Sequence, residues 1–190
     1  MVFNCMIAGV GGQGTVLASK LIATAAMKRG LDARTTETIG MAQRGGSVVS
    51  HVRLGGGFSP LMPLGGADAL IAFEPGEAVR HLSYLSEGGR LIVCDTPVKP
   101  AASSSAAYDG SEMIDYIKAN IPNAIVINGK PINEKYKKML NVALLGAAAQ
   151  SGIFPFDADA LLKAVSEIKR FREENLEAFK LGREIYLGQH

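Results

Sequence analysis

Apolar residues fall in short blocks cut by glycine-rich breaks, and the spacing inside each block changes along the chain. Residues 2–8 are an almost continuous apolar run with a β-branched and aromatic bias, which predicts a buried strand. Residues 14–29 then place Val16, Leu17, Ala18, Leu21, Ile22, Ala25 and Met27 at intervals of three and four, the period of a helix, and Gly30 ends it. Residues 32–39, rich in threonine, and residues 47–55, where Val48, Ser50, Val52 and Leu54 alternate with Val49, His51 and Arg53, predict two more strands around the loop "GMAQRGG". After a Gly- and Pro-rich loop over 55–66, strands are predicted at 67–73, 89–95 and 123–129. Helices are predicted at 75–86, entered through Pro75, and at 111–120, capped by Ser111.

From Pro131 onward only the helical period remains, over 133–152, 157–169 with Asp157 as cap, and 172–189. Alternating strands and helices imply a three-layer α/β/α domain with a mostly parallel, or mixed, central sheet and a helical C-terminal part. Residues 1–190 read as one domain, because no repeat and no long linker divides them.

Composition removes several function classes. Hydrophobic residues make up 47% and charged residues 20%, an ordinary globular balance, and the formal charge of +2 is too small to argue for nucleic acid or an anionic membrane. The short apolar start has no basic segment before it and is broken by glycine, so neither a span nor a leader is read there and the cytoplasm is the expected address. Cys5 and Cys94 fall in separate predicted strands. They are expected as two buried thiols, with a disulfide as the alternative, and they cannot ligate an iron–sulfur cluster.

The first candidate site is "GVGGQGT", where Gly9, Gly11 and Gly14 fit G-x-G-x-x-G between a strand and a helix, with Gly12, Gln13 and Thr15 beside them. Free N–H groups at the helix start would favour a phosphate there. A dinucleotide, another anion and a purely structural turn all remain open on this motif. Glu37 stands where a ribose-binding carboxylate would be needed, but no catalytic His or Tyr–Lys pair accompanies it.

The second candidate site is the loop after residue 39, with Gln43, Arg44, Gly45, Gly46 and Ser47. It offers a guanidinium beside backbone that another molecule can approach closely. A surface pairing of Arg44 with Glu37 explains it equally well. His51, His81 and His190 read as core or surface residues, Glu74 as a candidate or as a helix-start carboxylate, and Asp95 as part of the turn into Pro97. No nucleophile–base pair can be assembled.

Four stretches, "GVGGQGTVLASKLIA", "ETIGMAQRGGSVVSHVR", "NVALLGAAA" and "ENLEAFKLG", in this order, resemble the gamma-type domain of the 2-oxoacid:ferredoxin oxidoreductases, closest to the indolepyruvate type. The resemblance implies the smaller subunit of an enzyme that decarboxylates an aryl 2-oxoacid on thiamine diphosphate, transfers the acyl group to coenzyme A and passes electrons through iron–sulfur clusters to ferredoxin. It implies a larger partner subunit carrying the thiamine diphosphate and the clusters, coenzyme A as co-substrate, and no turnover by this chain alone. Arg44 and the Gly11 to Thr15 amides would face coenzyme A phosphates or an acidic partner surface, Gln13 and Gln43 would orient polar groups, and Phe58, Leu61 and Met62 would form a contact loop. The rival reading is a stand-alone nucleotide-binding protein or an NAD-dependent oxidoreductase.

Overall fold

A computed structural model describes residues 2–39, 46–56, 59–98 and 108–189 of the chain. Its strands are β1 (Phe3–Val10), β2 (Ala33–Ile39), β3 (Ser47–Leu54), β4 (Ala67–Ala72), β5 (Leu85–Cys94) and β6 (Ala124–Ile127). Its helices are α1 (Thr15–Lys28), α2 (Pro75–Arg80), α3 (Ser111–Asn120), α4 (Lys130–Tyr136), α5 (Leu140–Gln150), α6 (Ala158–Ser166) and α7 (Arg172–Gln189). The strands form one sheet in the order β2-β3-β1-β4-β5-β6. β1, β4, β5 and β6 pair in parallel, while β3 runs antiparallel to both β1 and β2. The sheet is therefore mixed, with β3 alone reversed.

Alternation along the strands sorts side chains onto two faces. Cys5, Ile7, Val52, Ile71, Ile92 and Ile127 join the larger core under α1, α5, α6 and α7, and Met6, Ala8, Val49, Leu70, Leu91 and Val93 join the smaller one under α2 and α3. α5 is buried on nearly every side, as a helix apolar all round must be, and α7 lies over it. Cys5 and Cys94 are both free and buried.

Several boundaries differ from the expected ones. The helix at 75–86 stops at Arg80; a turn of 3-10 helix over Leu82–Tyr84 follows, and β5 begins at Leu85, where its ladder with β4 shifts register. Helix 133–152 divides at a 3-10 turn over Lys137–Met139. Ser111 does not cap α3. Gly110 does, and Asp109 accepts from both the Ser111 N–H and its hydroxyl, at 2.9 and 2.8 Å. Asp157 caps α6 as expected, accepting from the Ala160 N–H at 2.8 Å.

Candidate functional site

Because β3 is reversed, its amino end lies at the same rim as the carboxyl ends of β1, β2, β4, β5 and β6. β1 leaves this rim through α1 on one face, and its neighbour β4 leaves through α2 on the other. That divergence opens a crevice between β1 and β4, the place where such sheets receive ligands.

The glycine loop is tied down on every side. The Gln13 Oε1 accepts from the Val10 N–H at 2.8 Å, its Nε2 donates to the Phe73 carbonyl at 3.2 Å, and the Gln13 N–H donates to the Val10 carbonyl at 3.1 Å. Gln13 is thus a brace joining the ends of β1 and β4. Gly14 caps α1 in the left-handed region at φ 81°, and Asn141 of α5 donates to its carbonyl at 3.1 Å. A Cβ there would lie 2.4 Å from the Asn141 amide nitrogen, so only glycine fits. Thr15 is buried in the first turn of α1, where N–H groups have no partner within the helix.

The two loops meet. The Gly11 N–H donates to the Gly46 carbonyl at 2.9 Å, and Gly46 leads into Ser47, the first residue of β3. Gly9 pairs with Val48 in the β1–β3 ladder, and Gly12 lies at the loop's tip in the left-handed region. Gln43, Arg44 and Gly45 lie outside the described residues, as does Phe58. Glu37 is exposed on β2 opposite Ser50, with β3 between it and the glycine loop, roughly two strand spacings or about 10 Å away.

One cleft beside the meeting point, of about 550 Å³, is lined by Ser47, Glu74, Glu77, Arg80 and Tyr108 among others. Glu74 closes β4 and caps α2, accepting from the Glu77 N–H at 2.6 Å, and its other oxygen accepts from the Tyr108 hydroxyl at 2.6 Å. The Tyr108 hydroxyl in turn accepts from the Gly76 N–H at 3.0 Å. Glu77 accepts from the Ser47 hydroxyl and from Arg80 Nε at 3.0 Å, with His81 Nε2 at 3.4 Å. Both carboxylates are buried, at 3% and 4% relative exposure. The spacing E-P-G-E hints at the capping bond. Nothing local in the sequence brings Tyr108 to Glu74.

Charge follows from these contacts. Burial pushes the Glu77 carboxyl up, but hydrogen bonds from His81, Ser47 and Arg80, with the Arg80 charge, outweigh it and hold the group below its usual value. Burial, then the bond to Glu74, pushes the Tyr108 hydroxyl up. His51, on the same face of β3 as Ser47, is buried edge-on to Tyr84 at 5.8 Å. Its Nδ1 has no partner, and burial, then the nearby His81, lowers its affinity for a proton. Burial raises the Cys94 thiol to about 11 and raises Cys5 as well, so neither is a ready nucleophile.

Since the folded-state pKa of Glu77 lies below its unfolded value, its contribution to stability is complete above about 4.5 and is lost as pH falls through the lower folded value. Between about pH 7 and about pH 4, the urea midpoint of Glu77→Gln is therefore expected to fall less than that of the parent chain. Equal falls would contradict the depressed carboxyl.

On the opposite side of the glycine loop a second cleft, of about 400 Å³, is lined by Gly12, Lys138, Asn141, Arg170 and Phe171, among others. Phe171 is the one non-glycine residue at positive φ, 53°, among the described residues, and the Arg170 guanidinium lies 4.9 Å over its ring. Its turn is held by Asn175 Nδ2, which donates to the Arg170 and Phe171 carbonyls at 3.1 and 2.7 Å. Sequence reasoning missed this cleft because its walls come from α1, α5 and the α6–α7 connection. Among the described residues no three His, Cys, Asp or Glu side chains gather closely enough to hold a metal ion.

The model of the pyruvate ferredoxin/flavodoxin oxidoreductase family matches residues 4–185. The chain is 38% identical over 189 residues to the indolepyruvate oxidoreductase subunit IorB of Archaeoglobus fulgidus, across 96% of this chain and 94% of that protein. Its structure is similar to the gamma subunit of a keto/oxoacid ferredoxin oxidoreductase from Geobacter sulfurreducens, with a TM-score of 0.67, 25% identity and coverage of 98% and 99% of the two chains. The same fold, at 19% identity and a TM-score of 0.69, matches 98% of this chain to 31% of a chain of the 2-oxoglutarate:ferredoxin oxidoreductase from Magnetococcus marinus, solved with 2-oxoglutarate, coenzyme A and succinyl-CoA bound. With a family model spanning nearly its whole length and the loops that carry the resemblance joined at one rim, the chain belongs to the pyruvate ferredoxin/flavodoxin oxidoreductase family.

Proposed function

We propose that the chain is the smaller subunit of an indolepyruvate ferredoxin oxidoreductase, which converts an aryl 2-oxoacid and coenzyme A to acyl-CoA and carbon dioxide while two electrons pass to ferredoxin. The observation that carries this reading is the 38% identity to an indolepyruvate oxidoreductase subunit along 96% of the chain. In this reading the enzyme works in the cytoplasm; among the described residues no helix is long and apolar enough to cross a membrane.

Thiamine diphosphate and the iron–sulfur clusters belong to the larger subunit. Two cysteines, each buried in a different strand, do not fit a cluster that needs four thiolates. What remains for this chain is to bind, orient and exclude water. A coenzyme A phosphate does not fit the cleft lined by Glu74 and Glu77, where two buried carboxylates would repel it. It fits the other side of the glycine loop better, where Lys138 and Arg170 stand near the first-turn amides of α1. In this reading Arg44 supplies a cation for coenzyme A or for an acidic surface of the larger subunit, whereas Gly46 and Ser47 line the Glu74–Glu77 cleft. Gln13 is occupied as a brace and leaves ligand contact to its neighbours.

Leu61 and Leu64, 54% and 66% exposed, support a contact with the larger subunit through the loop before β4, whereas Met62 turns inward at 5%. The NAD-dependent alternative is disfavoured, because a ribose in the glycine loop would have β3 between it and Glu37.

In the assembled enzyme, Arg44→Ala is expected to raise either the KM for coenzyme A or the Kd for the larger subunit about tenfold. An Arg44→Ala enzyme that keeps both values would remove Arg44 from the site.

A further inference from the structure

We propose that Glu77 is a positioning residue: its buried carboxylate, through Ser47, holds the two rim loops in register for the assembled enzyme. The proposal rests on the reading above only for what the rim serves; the positioning itself is argued from the contacts.

α2 does not need the Glu77 side chain for its cap. Glu74 supplies that, accepting from the Glu77 N–H, and this bond is made by the backbone whatever side chain stands at 77. Yet the Glu77 carboxylate is kept in a buried position, where an anion persists only if donors surround it. Three side chains do so: Ser47 and His81 at one oxygen, Arg80 at the other. Arg80 and His81 belong to the same short helix and its end. Ser47 alone comes from elsewhere, and His81 Nε2 also stands 3.3 Å from its hydroxyl.

Ser47 is the pivot of the second loop. It is the first residue of β3, and the carbonyl just before it, on Gly46, accepts the Gly11 N–H of the glycine loop. The β1–β3 ladder ends on the Val10–Ser47 pair, so the Glu77 contact pins Ser47 at the point where β3 enters the sheet and, one peptide unit away, steadies the Gly11–Gly46 bond between the loops. A carboxylate can accept at both oxygens; a carboxamide offers one acceptor and turns an N–H₂ group toward the other donors. Arg80 can only donate, so the Gln oxygen stays on it and the N–H₂ group faces Ser47; Glu77→Gln therefore loses the bond that the Ser47 hydroxyl donates to a carboxylate, without emptying any core position.

Residue-resolved amide exchange on the isolated chain tests this directly. In Glu77→Gln the Gly11 amide is expected to accelerate about tenfold more than the core amides of Ile7, Leu70 and Ile92, which register only the loss of global stability. Adding Ser47→Ala to Glu77→Gln should then change Gly11 no further, since both remove one bond. In the complex with the larger subunit, Glu77→Gln should raise the KM for coenzyme A about tenfold and lower kcat by less than about threefold.

An unchanged Gly11 amide, or one accelerated by no more than the factor seen at the core amides, would overturn the proposal; the second result would mark Glu77 as general structural support. If Glu77→Gln does not fold, Ser47→Ala by itself gives the same reading, with the same two results decisive. The exchange measurement uses neither coenzyme A nor the partner. Its failure sinks the positioning role alone, whereas a parent complex indifferent to coenzyme A sinks the proposed function and leaves the exchange result standing.

Discussion

Replacing Gly182 by alanine is expected to lower the thermal midpoint of the isolated chain by roughly 10 °C, from a loss of about 3 kcal/mol. α5 and α7 cross with their main chains in contact. A Cβ at Gly182 would lie 1.8 Å from the Ala143 carbonyl oxygen, and one at Gly146 would lie 2.1 Å from the Phe179 carbonyl oxygen. Neither obstacle is a side chain that could swing aside. Both oxygens sit on buried residues of the larger core, so relief requires the two helices to separate along their length. Alanine would otherwise favour the helix by about 1 kcal/mol over glycine, which makes the comparison sharp. Gly188, near the end of α7, has open space where its Cβ would go. Gly188→Ala is expected to be neutral or slightly stabilising, measured by the same circular dichroism melt. Equal midpoints for the two variants would show that the helices are not locked by this crossing.

That crossing also shows what could and could not be read from the chain. "NVALLGAAA" and "ENLEAFKLG" each announce a helix, and each carries part of the family resemblance. That Gly146 and Gly182 face each other's backbones is a long-range fact with no trace in either segment. The strands were legible because apolar runs and alternation are local signals, and both faces of the sheet follow from them. The position of β3 was not. A segment that alternates as residues 47–55 do fits either direction, and only the short connection from β2 and the pairing of Cys5 with Val52 place it reversed beside β1.

The candidate site divides in the same way. The glycine loop was visible from the spacing of Gly9, Gly11 and Gly14, but the function of Gln13 as a brace depends on Phe73, sixty residues on. Glu74 was visible as a helix-start carboxylate, and it is one. Glu77 carries no signal in the sequence beyond its place in the predicted helix, and only the fold brings Ser47 against it. Tyr108 and the cleft beside Phe171 depend wholly on tertiary approach, which neither composition nor period encodes.

In the proposed function this chain acts only together with a larger subunit that supplies the reactive cofactors. The most direct measurement is the rate of ferredoxin reduction by indolepyruvate and coenzyme A, taken with the larger subunit alone, with this chain alone, and with the two mixed at equal concentration. No turnover is expected from this chain alone, and a rate for the mixture about a hundredfold or more above that of the larger subunit alone. A larger subunit already at full rate without this chain, or this chain oxidising a substrate with NAD by itself, would contradict it.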